Sequence, residues 1–510
     1  MNQEQNIDGF PADREPAADF SWPAHEIRRV GHRVVDLMAD YLSRLPTGPV
    51  FRPLPAEIGD AWVSSPLPEQ REPADAILDR FADSIAPYPF GNGHPRFYGW
   101  VNSPPARIAI MAEALAGAMN PSVAGGNHAA VWIERQVLEW FKQLIGFPTD
   151  AMGLLVSGGS AAAVTALAAA RHEACARHNW DVRKDGIQKT AAPGATQRLL
   201  VYKGAEGHGC NQKAIELLGI GSANIRLVPS DATLRVRPDA LDAMLRDDRA
   251  AGHIPVAVIA SAGTVNTGVI DPLVEIADIC AGREVWLHVD AAYGGAAIMT
   301  TEYAAPLAAL SRADSIALDP HKWMYVPVDA GLVLVKREAA MRNAFSLVPP
   351  YLRTDGNLRG VQGPTWFSEY GPEQTRPFRA LKVWAAFRYF GRDGYRRLLD
   401  HDIELARHLA DRVRTTPGYE LWEPVSLSIV CFRATPTELP DGIRDRDALN
   451  REILERVQLG GEGFLSGTTV NGSFWLRACI VNPCASTADI DVVFDAVQAA
   501  CAASLDSTVT

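Results

Sequence analysis

Apolar residues along this chain change their period in a way that divides it. Over residues 25–45, HEIRRVGHRVVDLMADYLSRL, Val30, Val34, Leu37, Met38 and Leu42 recur at helical spacing. A proline-rich stretch, Leu45 to Pro68, follows, and DAILDRFADSIA (75–86) reads as another helix. This N-terminal part offers few partners for its own apolar faces, which suits packing on a second subunit. Residues 1 to about 20 read as a mobile tail.

From about 104 to 390 the texture is strand alternating with helix. Short apolar runs predict buried strands at 154–156, 199–202, 225–228, 256–260, 285–289, 315–318 and 332–335. Helical patterns lie between several of them, at 160–175, 236–249 and 271–282. Such alternation predicts an α/β domain with a mainly parallel sheet covered on both faces. Ligands of such sheets sit beyond the carboxyl ends of the strands. Residues 345–375 are rich in Pro, Gly and polar residues and read as a long loop between a strand and a helix, of a length that is often functional. FRALKVWAAFRYFG then reads as a helix ended by Gly391, and the remainder as a smaller α+β domain. The expected domains are 1–103, 104–392 and 393–510.

Composition narrows the function. A net charge of −11 argues against nucleic acid or an anionic membrane as partner. No apolar run is long enough to span a bilayer, and the polar N-terminus is no signal peptide. The cysteines are odd in number with no CxxC pair, which disfavours a disulfide framework or a zinc site and fits a reducing cytoplasm. The histidines form no HExxH or comparable metal cluster, so no metal is expected.

Five segments carry candidate chemistry. In SIALDPHKW (315–323) a strand ends just before His321 and Lys322. A lysine there faces the ligand crevice, and desolvation would lower its pKa so that the neutral amine forms a Schiff base. In HVDAAYGG (288–295) Asp290 closes an apolar strand, where it could hold a pyridinium N–H. In LLVSGGSAAAVTALAAAR (154–171) Gly158 and Gly159 admit a close ligand, and Ser160 opens a helix suited to phosphate. His208, in YKGAEGHGCNQKA, could stack on an aromatic cofactor, and Thr264 and Asn266, in SAGTVNTG, add polar groups at the same edge. Each has a plain alternative: a surface lysine, a helix-capping Asp, a Gly–Ser turn, a loop histidine, turn residues. Neither a GxGxxG nor a GxxxxGK[ST] pattern is present, so nucleotide binding is poorly supported.

The order of these pieces, with GHPRFYGWVNSPP (93–105), resembles the fold-type I, group II decarboxylases dependent on pyridoxal 5′-phosphate (PLP), over about residues 25–500. The resemblance implies that Lys322 carries the cofactor, Asp290 pairs with its ring nitrogen and His208 stacks on the ring. It places Gly158, Gly159, Ser160 and His321 around the phosphate, with Thr264 and Ala292 also against the cofactor. Tyr351, in PPYLRTDG, matches the loop tyrosine that protonates the α-carbon in relatives, where phenylalanine tends to accompany aldehyde synthesis. Arg477, in FWLRACIVNP, matches an arginine near the site, though a structural ion pair suits it equally. A homodimer is implied as well, with the N-terminal segment wrapped over the partner.

The substrate implied is an amino acid, aromatic or otherwise apolar. Trp100, Val101, Asn102 and His128 are the side-chain pocket candidates, with Ala124 and Trp132 nearby; Val101 and Ala124 stand where animal aromatic decarboxylases have aromatics. Arg96 is the visible cation for an acidic substrate. Other readings are an oxidative decarboxylase, an aminotransferase, another PLP lyase, or a non-catalytic PLP scaffold. The presence of Tyr351, His208, Asp290 and Lys322 together favours simple decarboxylation.

Overall fold

The computed structural model describes residues 20–187, 197–347, 366–439 and 445–506. The chain forms two compact units, residues 1–90 and 91–510. In the first, helices Ala24–Arg44 and Ala74–Arg80 are joined by Arg29–Asp75 and Arg33–Asp75 ion pairs of 3.0 and 2.5 Å. A wider helical turn, Phe81–Ile85, extends the second helix. Val30 is the one buried residue of the first helix, while Phe20, Val63 and Leu67 stand almost fully exposed. The expected boundary at 103 moves to 90, because residues 91–103 pair with later segments. Phe97 bridges Phe464, Cys479 N–H donates to Tyr98 O, and Ser103 Oγ donates to Lys322 O.

The second unit is built on seven strands: β1 (Met152–Val156), β2 (Leu199–Gly204), β3 (Ile225–Val228), β4 (Ile254–Ser261), β5 (Trp286–Asp290), β6 (Ser315–Leu318) and β7 (Gly331–Val335). Their order is β1-β7-β6-β5-β4-β2-β3. All seven expected strands are present. The sheet is mainly parallel, and β7 alone runs against its neighbours β6 and β1. β2, β4, β6 and β7 are buried along their whole length, which explains their unbroken apolar runs. The carboxyl ends of β1, β2, β4, β5 and β6 therefore open on one edge.

Helix Glu338–Phe345 follows β7, so the long loop joins two helices rather than a strand and a helix. Most of that loop, residues 348–365, lies outside the described residues, as does the N-terminal tail through residue 19. Gly391, at φ 61° and ψ 176°, leaves the helical path and ends the next helix as expected; a second helix starts directly behind it, so Ala380–Thr415 is two helices meeting at a kink. The part before the kink buries its apolar face in the larger core; the part after it begins in that core with Tyr395, Leu399 and Ile403 and ends in a second core with Leu405, Leu409 and Val413. The second core lies under an antiparallel sheet of β8 (Tyr419–Leu421), β9 (Ile429–Ala434), β10 (Ser466–Val470) and β11 (Ser473–Cys479), ordered β10-β11-β9-β8. Helices Arg446–Gly460 and Thr487–Asp506 complete this α+β part.

A buried ion pair fixes the start of the site. Arg376 donates to Glu134 Oε1 (2.5 Å), Leu155 O (2.6 Å) and Val123 O (3.0 Å), and Glu134 Oε1 also accepts from Leu155 N–H. Both side chains are buried, so removing one leaves the other charge stranded. Arg376→Met is expected to cost about 3–5 kcal/mol. A thermal melt checks this: Arg376→Met should melt well below wild type, and the double variant Arg376→Met/Glu134→Leu should recover part of the loss.

Candidate active site

Five strand ends deliver the site. β1 runs into helix Gly159–Ala176, whose N-cap, Gly158, supplies no side-chain hydrogen bond. That helix end is therefore left with backbone N–H groups for an anion. Gly331, at the start of β7, allows the approach: a Cβ there would lie 2.3 Å from Gly158 Cα. β2 leads to His208, which caps helix Gly209–Leu217 by accepting from Cys210 N–H through Nδ1 (3.1 Å). Its ring proton therefore sits on Nε2, and desolvation holds its pKa below the ordinary histidine value.

β5 ends at Asp290. Asn211 Nδ2 donates to its Oδ2 at 3.0 Å, and Ala292 N–H donates to Oδ1 at 3.2 Å. β6 ends at Leu318, and the turn behind it is closed by Lys322 N–H on Asp319 O at 2.9 Å. Lys322 Nζ lies 3.0 Å from the buried Asp319 carboxylate.

These groups share one cavity of about 450 Å³. Gly158, Gly159, Ser160, His208, Thr264, Asp290, Ala292, His321 and Lys322 all line it, with Val101, Val265, Tyr293 and Val328 as apolar wall. The lining suits a phosphorylated aromatic ring: an uncapped helix end for the phosphate, an imidazole, and a carboxylate for a ring nitrogen. Two buried oxygens beside it, Asn211 Oδ1 and Asp319 Oδ1, have no partner among the described residues. Among the described residues no group of three or more His, Cys, Asp or Glu side chains is placed to hold a metal ion, and no helix is long and apolar enough to cross a membrane.

Some expectations change. Burial works to neutralise Lys322, but the carboxylates of Asp319 and Asp290 outweigh it, so its pKa is raised rather than lowered. The lysine that burial does push down is Lys203, at the end of β2, which donates to Gly207 O at 2.8 Å and does not line the cavity. Arg477 has no carboxylate partner among the described residues. It donates to the backbone of Trp100 and Asn266, and so holds two loops in place. Asn266 bonds Glu206 and Thr468 instead of facing the cavity. Of the pocket candidates Val101 lines the cavity, whereas Trp100, Asn102, His128, Trp132, Ala124 and Arg96 do not; Trp100 packs near Phe97 and Phe464. Tyr351 lies outside the described residues.

Sequence reasoning assigned no role to Asp319 and Asn211. Both stand inside quoted motifs, DPHKW and GHGCNQKA, and a charge three residues before a strand-end lysine was the available signal.

A family model described as the pyridoxal-dependent decarboxylase conserved domain matches residues 61–435. An aromatic-L-amino-acid decarboxylase of Bacillus atrophaeus is 33% identical over 471 residues, covering 92% of this chain and 94% of that protein. A phenylacetaldehyde synthase of Arabidopsis thaliana is 28% identical, covering 90% and 92%. Among solved structures, Oryza sativa TDC with PLP and tryptamine superposes with a TM-score of 0.86 at 27% identity, covering 95% of this chain and 99% of that one.

The close contact at Gly331 yields a test. Gly331→Ala forces its methyl group against Gly158 and must displace the helix entrance. Absorbance titration with pyridoxal phosphate should show binding weakened by at least about tenfold, a loss of roughly 1.4 kcal/mol, with the circular dichroism of the fold retained.

Proposed function

Because the chain belongs to the pyridoxal-dependent decarboxylase family, we propose that it removes the α-carboxylate of an aromatic L-amino acid, giving the amine and carbon dioxide. Its cofactor is pyridoxal 5′-phosphate, which when bound supplies an electron sink for the pair left by the departing carboxylate. The observation that carries the reading is the meeting of Lys322, Asp290, His208 and the Gly158–Ser160 turn on one cavity.

The chain's own groups divide the work. Gly158, Gly159, Ser160 and His321 hold the phosphate, His208 and Ala292 pack against the ring, and Thr264 adds a hydroxyl at its edge. Asp290, oriented by Asn211 and the Ala292 N–H, keeps the proton on the ring nitrogen. Lys322 would anchor the cofactor through its side-chain amine. Tyr351 would be the acid that delivers a proton to the α-carbon. Val101, Val265, Val328 and Tyr293 give the cavity an apolar wall suited to an aromatic side chain. No arginine stands among its described lining residues, which favours an apolar substrate over an acidic one.

The active assembly in this reading is a homodimer. Helix Arg107–Met119 exposes Ile108, Met111, Leu115 and Met119 along one stripe, an apolar face suited to a second copy. A cytoplasmic location fits seven cysteines spaced without a CxxC pair, six of them buried.

Mass spectrometry of the products from tryptophan, tyrosine, phenylalanine and DOPA tests the reading. An aromatic amine is expected from at least one of them, and Tyr351→Phe should lower its rate by about 10²–10⁴-fold. Aldehyde with peroxide and ammonia from the unaltered chain would assign it instead to the chemistry named for the Arabidopsis relative.

A further inference from the structure

Asp319 is a buried charge in the site with one oxygen paired and the other not. Its carboxylate is buried, with Oδ2 3.0 Å from Lys322 Nζ and 3.8 Å from His321 Nε2, while Oδ1 has no partner among the described residues. His321 Nδ1 accepts from Ala330 N–H, so its ring proton sits on Nε2, the nitrogen nearer Asp319. The same carboxylate adjoins the phosphate turn: a Cβ built on Gly159 would meet Asp319 Oδ2 at 3.1 Å. A phosphate docking on the Gly158–Ser160 turn therefore comes up against an anion, and two buried anions in contact repel strongly. Lys322 meanwhile carries a proton that it must lose before its nitrogen can attack an aldehyde. Of the other charged neighbours, Asp290 bonds Asn211 and the Ala292 N–H, and Lys203 bonds Gly207 O. Neither is placed to take that proton.

We propose that Asp319 accepts the proton Lys322 gives up as the cofactor enters, and that the carboxylic acid so formed donates a hydrogen bond to the phosphate. This rests on the reading of Lys322 as the cofactor's anchor. An N–H bond of the ammonium breaks, an O–H bond forms on Asp319, and the site's net charge is unchanged. The freed lone pair attacks the aldehyde carbon, and the carbonyl oxygen departs as water. One transfer removes both obstacles, because it frees the amine and discharges the anion beside the phosphate. Asp319 is thus a positioning residue for cofactor loading rather than for the decarboxylation itself.

Infrared difference spectra of the full chain, with and without pyridoxal phosphate, test this directly. The wild type should gain a protonated-carboxyl C=O band as imine absorbance forms, and Asp319→Asn should form the imine without that band. Asp319→Asn, whose amide can donate to the phosphate, should bind pyridoxal phosphate about as tightly as wild type. Asp319→Ala should bind about tenfold more weakly. Imine absorbance in the wild type without the carboxyl band would overturn the proposal, as would equal affinities of the Asn and Ala variants. No imine absorbance even in the wild type would overturn the reading of Lys322 itself, and this inference with it.

Discussion

The site depends on a lysine whose backbone is held from several sides. Lys322 N–H closes a turn on Asp319, and Lys322 O accepts from Ser103 Oγ at 2.5 Å. The next residue, Trp323, donates through Nε1 to Asp402, as does the Tyr325 hydroxyl, each at 2.8 Å. Asp402 belongs to the second half of the long kinked helix, and it is fully buried. The turn after β6 is thereby tied to the strand edge, to residues 91–103 and to the long helix at once. A Schiff-base lysine needs such anchoring, because misplacing a reacting atom by even about 1 Å can cost 10²-fold in rate.

The rest of the sheet delivers complementary groups to the same edge. β1 supplies an uncapped helix end, β2 an imidazole with a defined tautomer, and β5 a carboxylate already fixed by two donors. The buried Arg376–Glu134 pair keeps the end of β1 in line with the segment at Val123 and the return of the long loop. None of these contacts is chemical in itself. Together they fix the backbone around the Gly158–Ser160 turn, and Val101, Val265 and Val328 add apolar surface to the same cavity.

Much of this was legible in the sequence, for physical reasons. Strands buried on both faces must read as short apolar runs, as β2, β4, β6 and β7 do. Ligand groups of an α/β sheet gather at strand ends, so Lys322, Asp290, His208 and the Gly158–Ser160 turn could be picked out. Less legible were features set by tertiary pairing. Gly391 was legible as a helix end, but not the second helix that leaves it directly and runs into another core. The sign of the Lys322 shift depends on Asp319, whose distance only folding defines. Arg477 was visible as an arginine near the site or in an ion pair, but not as a tie between the Trp100 and Asn266 loops. Trp100, matched to relatives, and Asn102 and His128, taken as further candidates, are not among the described residues that line the cavity.

Two partly buried lysines, Lys322 and Lys203, make the central claim sharp. Burial favours a neutral, nucleophilic amine at Lys203, while carboxylates keep Lys322 charged. Geometry favours Lys322, which lines the cavity, whereas Lys203 is turned into a bond with Gly207 O. The direct measurement is borohydride reduction of the pyridoxal-phosphate-loaded enzyme, followed by peptide mass spectrometry to locate the pyridoxyl group. The account predicts a single label on Lys322. A label on Lys203, or on any other lysine in its place, would contradict it.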